Sequence, residues 1–456
     1  MSARLLAALR ERLPADCIQH DVDVVATYAQ DRALFERPGQ AAVLVMPRST
    51  ADVVAAVDVA NALGVPIVAR GAGTGLTGAA NAVDGCLMLS MHRMNAVLDI
   101  DTTNRMARVQ PGVINADLKR AVAAQGLFYP PDPSSYEMSS IGGNVATNAG
   151  GLCCVKYGVT RDYVVDLEVV LASGEVMRTG RRTLKKTTGL DLTGLFIGSE
   201  GLLGIITEIT VRLIPLPAPP ATAVAVFDRL SDAGHTIAQV FQRGLDPSLM
   251  EIMDQASLRY VESAYRMGLD VDAACQLIIQ TTGDRAGDQI AAISSLCEST
   301  GANFVYHVTD HDEGEMLIEA RRRVWPAMEK TGRSLLPEDV AVPRERLAEL
   351  LAGITAIGEH NAVSLATIGH AGDGNMHPIF LLDAQDPDEL ARTKRAFTEI
   401  LELSLSLGGT IAAEHGVGTL KRAFIERELD PIALSVQRRL KQTLDPHNRF
   451  NPGKAL

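Results

Sequence analysis

The chain has 456 residues, 46% apolar and 21% charged, with a net charge of −12 from 55 acidic and 43 basic residues. That length calls for two or three domains, and the composition describes a soluble globular protein without a disorder signature. The acidic balance argues against nucleic-acid binding; the one basic run, Arg321-Arg322-Arg323, follows Glu313, Glu315 and Glu319 as a solvated helix face would.

Residues 1–37 read as a helical segment, Leu/Ala/Arg-rich at the start and too broken to be a signal peptide or a membrane span. From 41 to 213 short strands and helices alternate. Strands are expected at 42–46, 65–69, 86–91, 97–101 and 106–110, with helices at 51–63, capped by Ser49 or Thr50, and at 114–125, stopped by Gly126. Residues 164–171 and 175–179 flank Ser173-Gly174 as a hairpin, and 204–214 alternate as one long strand. Four prolines in Pro215–Pro220 then mark a linker.

Beyond it, strands are expected at 223–227, 249–253, 276–281, 304–308, 364–368 and 378–382. Helices are expected near 231–243, 286–299, 312–329, 343–359 and 386–407. This pattern predicts an antiparallel sheet covered by helices, an α+β cap. The boundaries fall at 38–217 for the first domain, 218–412 for the cap and 413–456 for a C-terminal helical segment that returns to the first domain. Six cysteines without a CxxC pair fit reduced thiols in a cytoplasmic enzyme. No apolar run reaches membrane-spanning length, and peripheral attachment to a membrane stays open.

Two glycine-rich stretches carry the first chemical signal. Arg70-Gly71-Ala72-Gly73-Thr74-Gly75-Leu76-Thr77-Gly78 contains a literal G-x-G-x-x-G at 73, 75 and 78. A dinucleotide βαβ unit needs a helix after that loop, and only residues 79–85 separate it from the next strand. Its consecutive N–H groups and the Thr74 and Thr77 hydroxyls can still form an anion nest, against the alternative of a plain tight turn. Ser139–Gly151 is equally rich in small residues, interleaved with Ile141, Val145 and Ala149, which implies ordered backbone lying against a flat or extended ligand.

The second signal is Gly369-His370-Ala371-Gly372-Asp373-Gly374-Asn375-Met376-His377, answered by Glu414-His415. Two histidines that flank a glycine-rich turn, with a carboxylate and a third histidine downstream, form a metal or proton-transfer set. Taken alone it suggests hydrolysis. A single histidine at a strand end is more often a hydrogen-bonded polar group, and Arg321 reads equally well as a surface helix residue.

Together these segments resemble the flavin enzymes of the vanillyl-alcohol oxidase/para-cresol methylhydroxylase (PCMH) superfamily. The nearest resemblance is to its D-2-hydroxyacid dehydrogenase branch: glycolate oxidase flavoprotein subunit, D-lactate dehydrogenase and D-2-hydroxyglutarate dehydrogenase. The motifs are residues 70–79, Pro131-Asp132-Pro133-Ser134, 139–151, Lys156-Tyr157-Gly158, Glu200-Gly201, 370–377, 414–415 and Asn451-Pro452-Gly453-Lys454. The resemblance implies an α+β fold: a two-subdomain PCMH-type FAD-binding domain plus an antiparallel-sheet cap.

It also implies FAD, bound non-covalently because residues 70–78 contain no histidine. FAD contacts are expected from Arg70, Gly71, Ala72, Gly73, Thr74, Gly75, Leu76, Pro131, Asp132, Pro133, Ser134, Gly142, Gly143, Asn144, Thr147, Asn148, Gly150 and Gly151. Tyr157, Gly158, Glu200, Gly201, Gly204, Ile205, Ile206 and Asn451 complete the set. By the same resemblance His370, His377 and Glu414 hold a divalent metal, zinc by ligand type with manganese or iron as alternatives. His415 is the catalytic base and Arg321 binds the substrate carboxylate. Asp373 and Asn375 read as turn formers or groups behind the ligands.

The implied reaction oxidises a D-2-hydroxyacid to the 2-oxoacid. The hydroxyl proton goes to His415, a hydride to flavin N5, and the electrons onward to a cytochrome, quinone or electron-transfer flavoprotein. Relatives acting on 2-hydroxyglutarate offer a threonine and a lysine where Trp325 and Pro337 stand here. That favours D-lactate, glycolate or another aliphatic monocarboxylate over 2-hydroxyglutarate, the alternative substrate. A homodimer, or a role as one subunit of a larger complex, is compatible with the sequence.

Overall fold

A computed structural model describes residues 2–33, 35–183 and 185–456. They fall into two compact units: Met1–Gly151, Gly158–Leu216 and Glu414–Leu456 in one, Leu152–Tyr157 and Pro217–Ala413 in the other.

The first unit contains two main sheets. The smaller has four strands in the order Ile18–Gln19, Val43–Val45, Leu87–Ser90, Ile67–Arg70, with the last three mutually parallel. Parallel strands are buried on both faces and so read as unbroken apolar runs. Here Val43, Val45, Ile67, Leu87 and Leu89 face one cluster with Leu5, Leu9 and Val57. Leu44, Val68 and Met88 face another with Val25 and Ala29. The helix Thr50–Leu63 starts at Ser49, whose side chain accepts from Asp52 N, and ends on Gly64 in the left-handed conformation. Between Arg70 and Leu87 the chain makes its parallel crossover with no helix. The Gly-rich loop is therefore not a Rossmann phosphate loop.

The second sheet is antiparallel, in the order Val97–Asp101, Met106–Val109, Ile205–Arg212, Val164–Val170, Val176–Arg178. The hairpin expected at Ser173-Gly174 closes there, with Leu171 N donating to Glu175 O and Gly174 at φ +85°. The single strand expected over 204–214 is two. Ile205–Arg212 stays in the sheet, and Ile214–Pro215 moves to a ribbon with Leu127–Phe128. Pro215 has no N–H with which to extend the main ladder.

Residues 139–151 are ordered, as expected, and Ile141–Thr147 within them is a helix, capped by the Ser140 hydroxyl on Gly143 N and closed by Asn148 at φ 54°. Two glycines should disfavour it. A Cβ at Gly142 would lie 2.5 Å from Pro111 Cβ, so close packing decides the residue there.

The C-terminal tail returns to the parallel sheet: Ile67 N donates to Arg449 O and Asn451 N to Ile67 O. Lys454 Nζ then donates to Ala79 O at 2.8 Å and to Asn81 O. Burial pushes the Lys454 ammonium down to about 8 from an ordinary 10.5. Its contribution to stability is present above 10.5 and is lost as pH falls through 8, a span worth about 3 kcal/mol. Wild type should therefore gain stability over Lys454→Met as pH rises through that window. Thermal melts in which the gap between the two proteins shrinks over that range would refute the assignment.

The second unit is one eight-stranded antiparallel sheet. Its order is Ala302–Val308, Ala221–Phe227, Cys275–Thr281, Leu249–Asp254, Ser364–His370, Asn375–Leu382, Ser334–Pro337, with Val340–Ala341 also on Asn375–Leu382. Val224, Val226, Met253, Ile278, Ile368 and Ile379 bury one face under the helices Gln255–Tyr265, His311–Arg322 and Val324–Glu329. The single helix expected over 312–329 breaks at Arg323. Pro326 cannot donate to the carbonyl four residues back, and its ring clashes there. Among the described residues no helix is long and apolar enough to cross a membrane.

Candidate active site

In the second unit the strands Ser364–His370 and Asn375–Leu382 form a hairpin whose turn, Ala371–Gly374, holds Gly374 at φ +85°. A Cβ at Gly374 would also sit 2.1 Å from Val342 O, so glycine is required twice over. The register sets His370 opposite Asn375 and Ile368 opposite His377. Side chains alternate along strands, so both histidines rise from one face. Their ring centroids are 5.1 Å apart at 80°.

Two buried carboxylates stand behind them. Glu251, paired with His370 on the neighbouring strand, is fully buried. Its Oε1 lies 2.5 Å from His370 Nδ1 and its Oε2 accepts from Arg321 Nε at 2.9 Å. Burial raises the Glu251 pKa, but His370 and the Arg321 guanidinium outweigh it and hold the carboxyl below its ordinary value. Asp339, also fully buried, lies 3.7 Å from His377 Nδ1 and accepts from Asn375 Nδ2 at 2.7 Å. Its Oδ2 accepts from Ala413 N at 2.9 Å. Glu414 and His415 are the next two residues of the chain.

Arg321 is 9% exposed, unlike its neighbours Arg322 and Arg323, which pair with Glu315 and Glu319 on the surface. The surface-helix alternative for Arg321 is thereby overturned: Glu251 draws it inside. Trp325 donates from Nε1 to Glu329 at 2.7 Å and packs against the core, and Pro337 pairs with Ile379 in the sheet.

In the first unit the two glycine-rich stretches meet. A Cβ at Gly71 would fall 2.5 Å from Ser140 Oγ and 3.5 Å from Gly143. Arg70 folds beneath its own loop, donating to Gln30 O at 2.9 Å, with its guanidinium against Gly73, whose φ of +75° favours glycine. Asp132 lies against Gly151, and Gly150 against Glu414, whose Oε1 would be 2.5 Å from a Cβ there. Thr77 ties the loop to residues 415–420: its hydroxyl donates to His415 O at 3.3 Å, and its carbonyl accepts from Thr419 N and Leu420 N. Residues 411–416 run through bends rather than an extended strand.

Several residues assigned to the cofactor have structural work for their side chains. Asn144 bonds Asn115 and Ser139, Thr147 donates to Gly143 O, and Asn148 accepts from Arg161 N. The Glu200 carboxylate accepts from Val417 N and Gly418 N, both at 2.8 Å, while Asn451 Nδ2 donates to its backbone carbonyl. Tyr157 belongs to the stretch grouped with the second unit, where its hydroxyl meets Thr282 Oγ1 at 2.9 Å.

Glu251 and Asp339 are absent from the sequence reading. The signal for Glu251 was present: one carboxylate inside Leu-Met-Glu-Ile-Met, a strand whose neighbours require burial. A buried charge needs partners.

Residues 41–180 match the FAD binding domain family, and residues 216–455 match the family of FAD linked oxidases, C-terminal domain. The chain is 41% identical over 413 residues to the glycolate oxidase subunit GlcD of Bacillus subtilis, covering 90% of this chain and 88% of that one. The chain belongs to the FAD-linked oxidases. This FAD-linked oxidase is also 33% identical over 420 residues to a D-lactate dehydrogenase of Archaeoglobus fulgidus, covering 91% of each. It is an FAD-dependent oxidoreductase of the branch that holds these two enzymes.

Among solved structures it superposes on p-cresol methylhydroxylase with a TM-score of 0.82 at 17% identity, over 99% of this chain and 96% of that one. For 4-ethylphenol oxidase from Gulosibacter chungangensis the TM-score is 0.79 at 20% identity, with the same coverage. Those two likenesses establish the PCMH-type fold and nothing more.

Proposed function

We propose that this FAD-linked oxidase converts a D-2-hydroxyacid with a small aliphatic side chain, D-lactate or glycolate, to the 2-oxoacid. A divalent cation assists at His370, His377 and Glu414, and a carrier other than NAD removes the electrons. The reading rests chiefly on one observation: two buried imidazoles 5.1 Å apart, His370 with Nδ1 on the Glu251 carboxylate at 2.5 Å and His377 with Nδ1 3.7 Å from Asp339. A ring backed as His370 is, with Nδ1 on a carboxylate, is a usual donor to zinc and related ions. For FAD, the fit lies in the contact of Gly71 with Ser140 and Gly143, where small residues leave backbone for a ligand to approach.

FAD, when bound, supplies the two-electron sink, and the cation supplies Lewis acidity towards a hydroxyl. The rest is done by the chain. Arg321, its Nε held by Glu251, offers terminal nitrogens to a carboxylate. His415 takes the hydroxyl proton as the α-carbon is oxidised. Trp325 and Pro337 bring no charge for a second carboxylate.

The test is an anaerobic panel of glycolate, D-lactate, L-lactate and D-2-hydroxyglutarate, read by loss of visible flavin absorption, before and after dialysis against a chelator. D-lactate or glycolate should bleach fastest. Chelation should slow bleaching about 100-fold with flavin retained, and zinc or manganese should restore it. Fastest bleaching by 2-hydroxyglutarate would sink the substrate assignment, and an undiminished rate after chelation would sink the metal.

A further inference from the structure

Glu251 neither takes a proton nor binds metal or substrate in the reading above, yet it touches two of the residues that are assigned those tasks. It is fully buried in the middle of an apolar strand. Its two oxygens are divided between His370 Nδ1 and Arg321 Nε. These partners come from different parts of the unit: His370 from the adjacent strand, Arg321 from the helix His311–Arg322. We propose that Glu251 is the positioning residue for both, fixing the tautomer of His370 and the approach of the Arg321 guanidinium with one carboxylate.

The argument is one of donors and acceptors. An ionised carboxylate only accepts, so His370 Nδ1 carries the proton and Nε2 carries the lone pair. That is the tautomer a metal ligand needs. Arg321 meets Glu251 through Nε, and the bond makes no use of the two terminal nitrogens. A planar guanidinium clamped on that edge presents the others in a fixed direction, and a positioned arginine recognises a carboxylate better than a mobile one. Burial makes the arrangement demanding, since each of the three groups would be costly without the others.

This inference rests on the proposed metal and substrate roles, and its test separates the two. In Glu251→Gln the amide cannot accept from both partners. Zinc affinity of the FAD-loaded protein, measured by competition with a chelating dye, should fall about 10- to 100-fold. KM for D-lactate should rise along with it, while visible flavin absorption is retained. Wild-type protein that binds no zinc would refute the metal reading itself. Wild type that binds zinc, with Glu251→Gln binding it equally tightly, would refute the role of Glu251. Should the variant not fold, the ¹⁵N shifts of His370 in histidine-labelled, metal-free wild type decide the matter. A proton on Nδ1 is expected, and a proton on Nε2 overturns the proposal.

Discussion

Replacing His415 with alanine should leave FAD bound and slow anaerobic flavin reduction by a D-2-hydroxyacid about 10²- to 10⁴-fold, the usual reach of a general base. The surrounding backbone makes this a clean experiment. Thr77 Oγ1 donates to the His415 carbonyl, and Glu200 takes the N–H groups of Val417 and Gly418. Gly416 and Gly418 hold positive φ angles of 79° and 53°, which shortening the preceding side chain to a methyl group does not disturb. The loop therefore keeps its path when the imidazole is removed, and a lost rate reports on the proton rather than on the fold. Imidazole added to the variant should recover part of the rate. Flavin reduction at near wild-type speed would remove His415 from the reaction.

How much could be read from the sequence depended on how local the cause was. The turn at Ser173-Gly174, the cap at Ser49 and the hairpin around Gly374 follow from adjacent residues, and the structure has each of them. The six strands expected in the second unit were equally plain, and each is present. Long-range causes were not. The helix at Ile141–Thr147 exists despite Gly142 and Gly143, with Pro111, far back in the chain, packed against Gly142. The helix Gln255–Tyr265 went unread between two strands, although Asp254 caps it by accepting from Ser257 N. In the candidate site, His370 and His377 stood out through the glycines between them. Glu251 did not, because its partners lie 70 and 119 positions away. A charge inside an apolar strand says that partners exist without saying which.

Glu200 carries the second large effect expected. The residue is 7% exposed, and its carboxylate spends both oxygens on the backbone of Val417 and Gly418. Burial pushes its pKa up, while those two N–H donors pull it back towards the ionised form. In Glu200→Ala both donors lose their partner, at about 1–3 kcal/mol each where water cannot replace it. The melting temperature should fall by several degrees. Flavin reduction by substrate should slow as well, because Gly416–Gly418 is the segment that holds His415 in place. Glu200→Gln keeps one acceptor and should fall between wild type and alanine in both measurements. The tail should stay docked in each variant, since Asn451 Nδ2 bonds the Glu200 backbone carbonyl rather than its side chain. A slower enzyme that keeps its FAD would mark Glu200 as the support of the His415 loop. Loss of FAD at an unchanged melting temperature would mark it as a direct cofactor contact. An alanine variant with the wild-type rate and melting temperature would deny it either role.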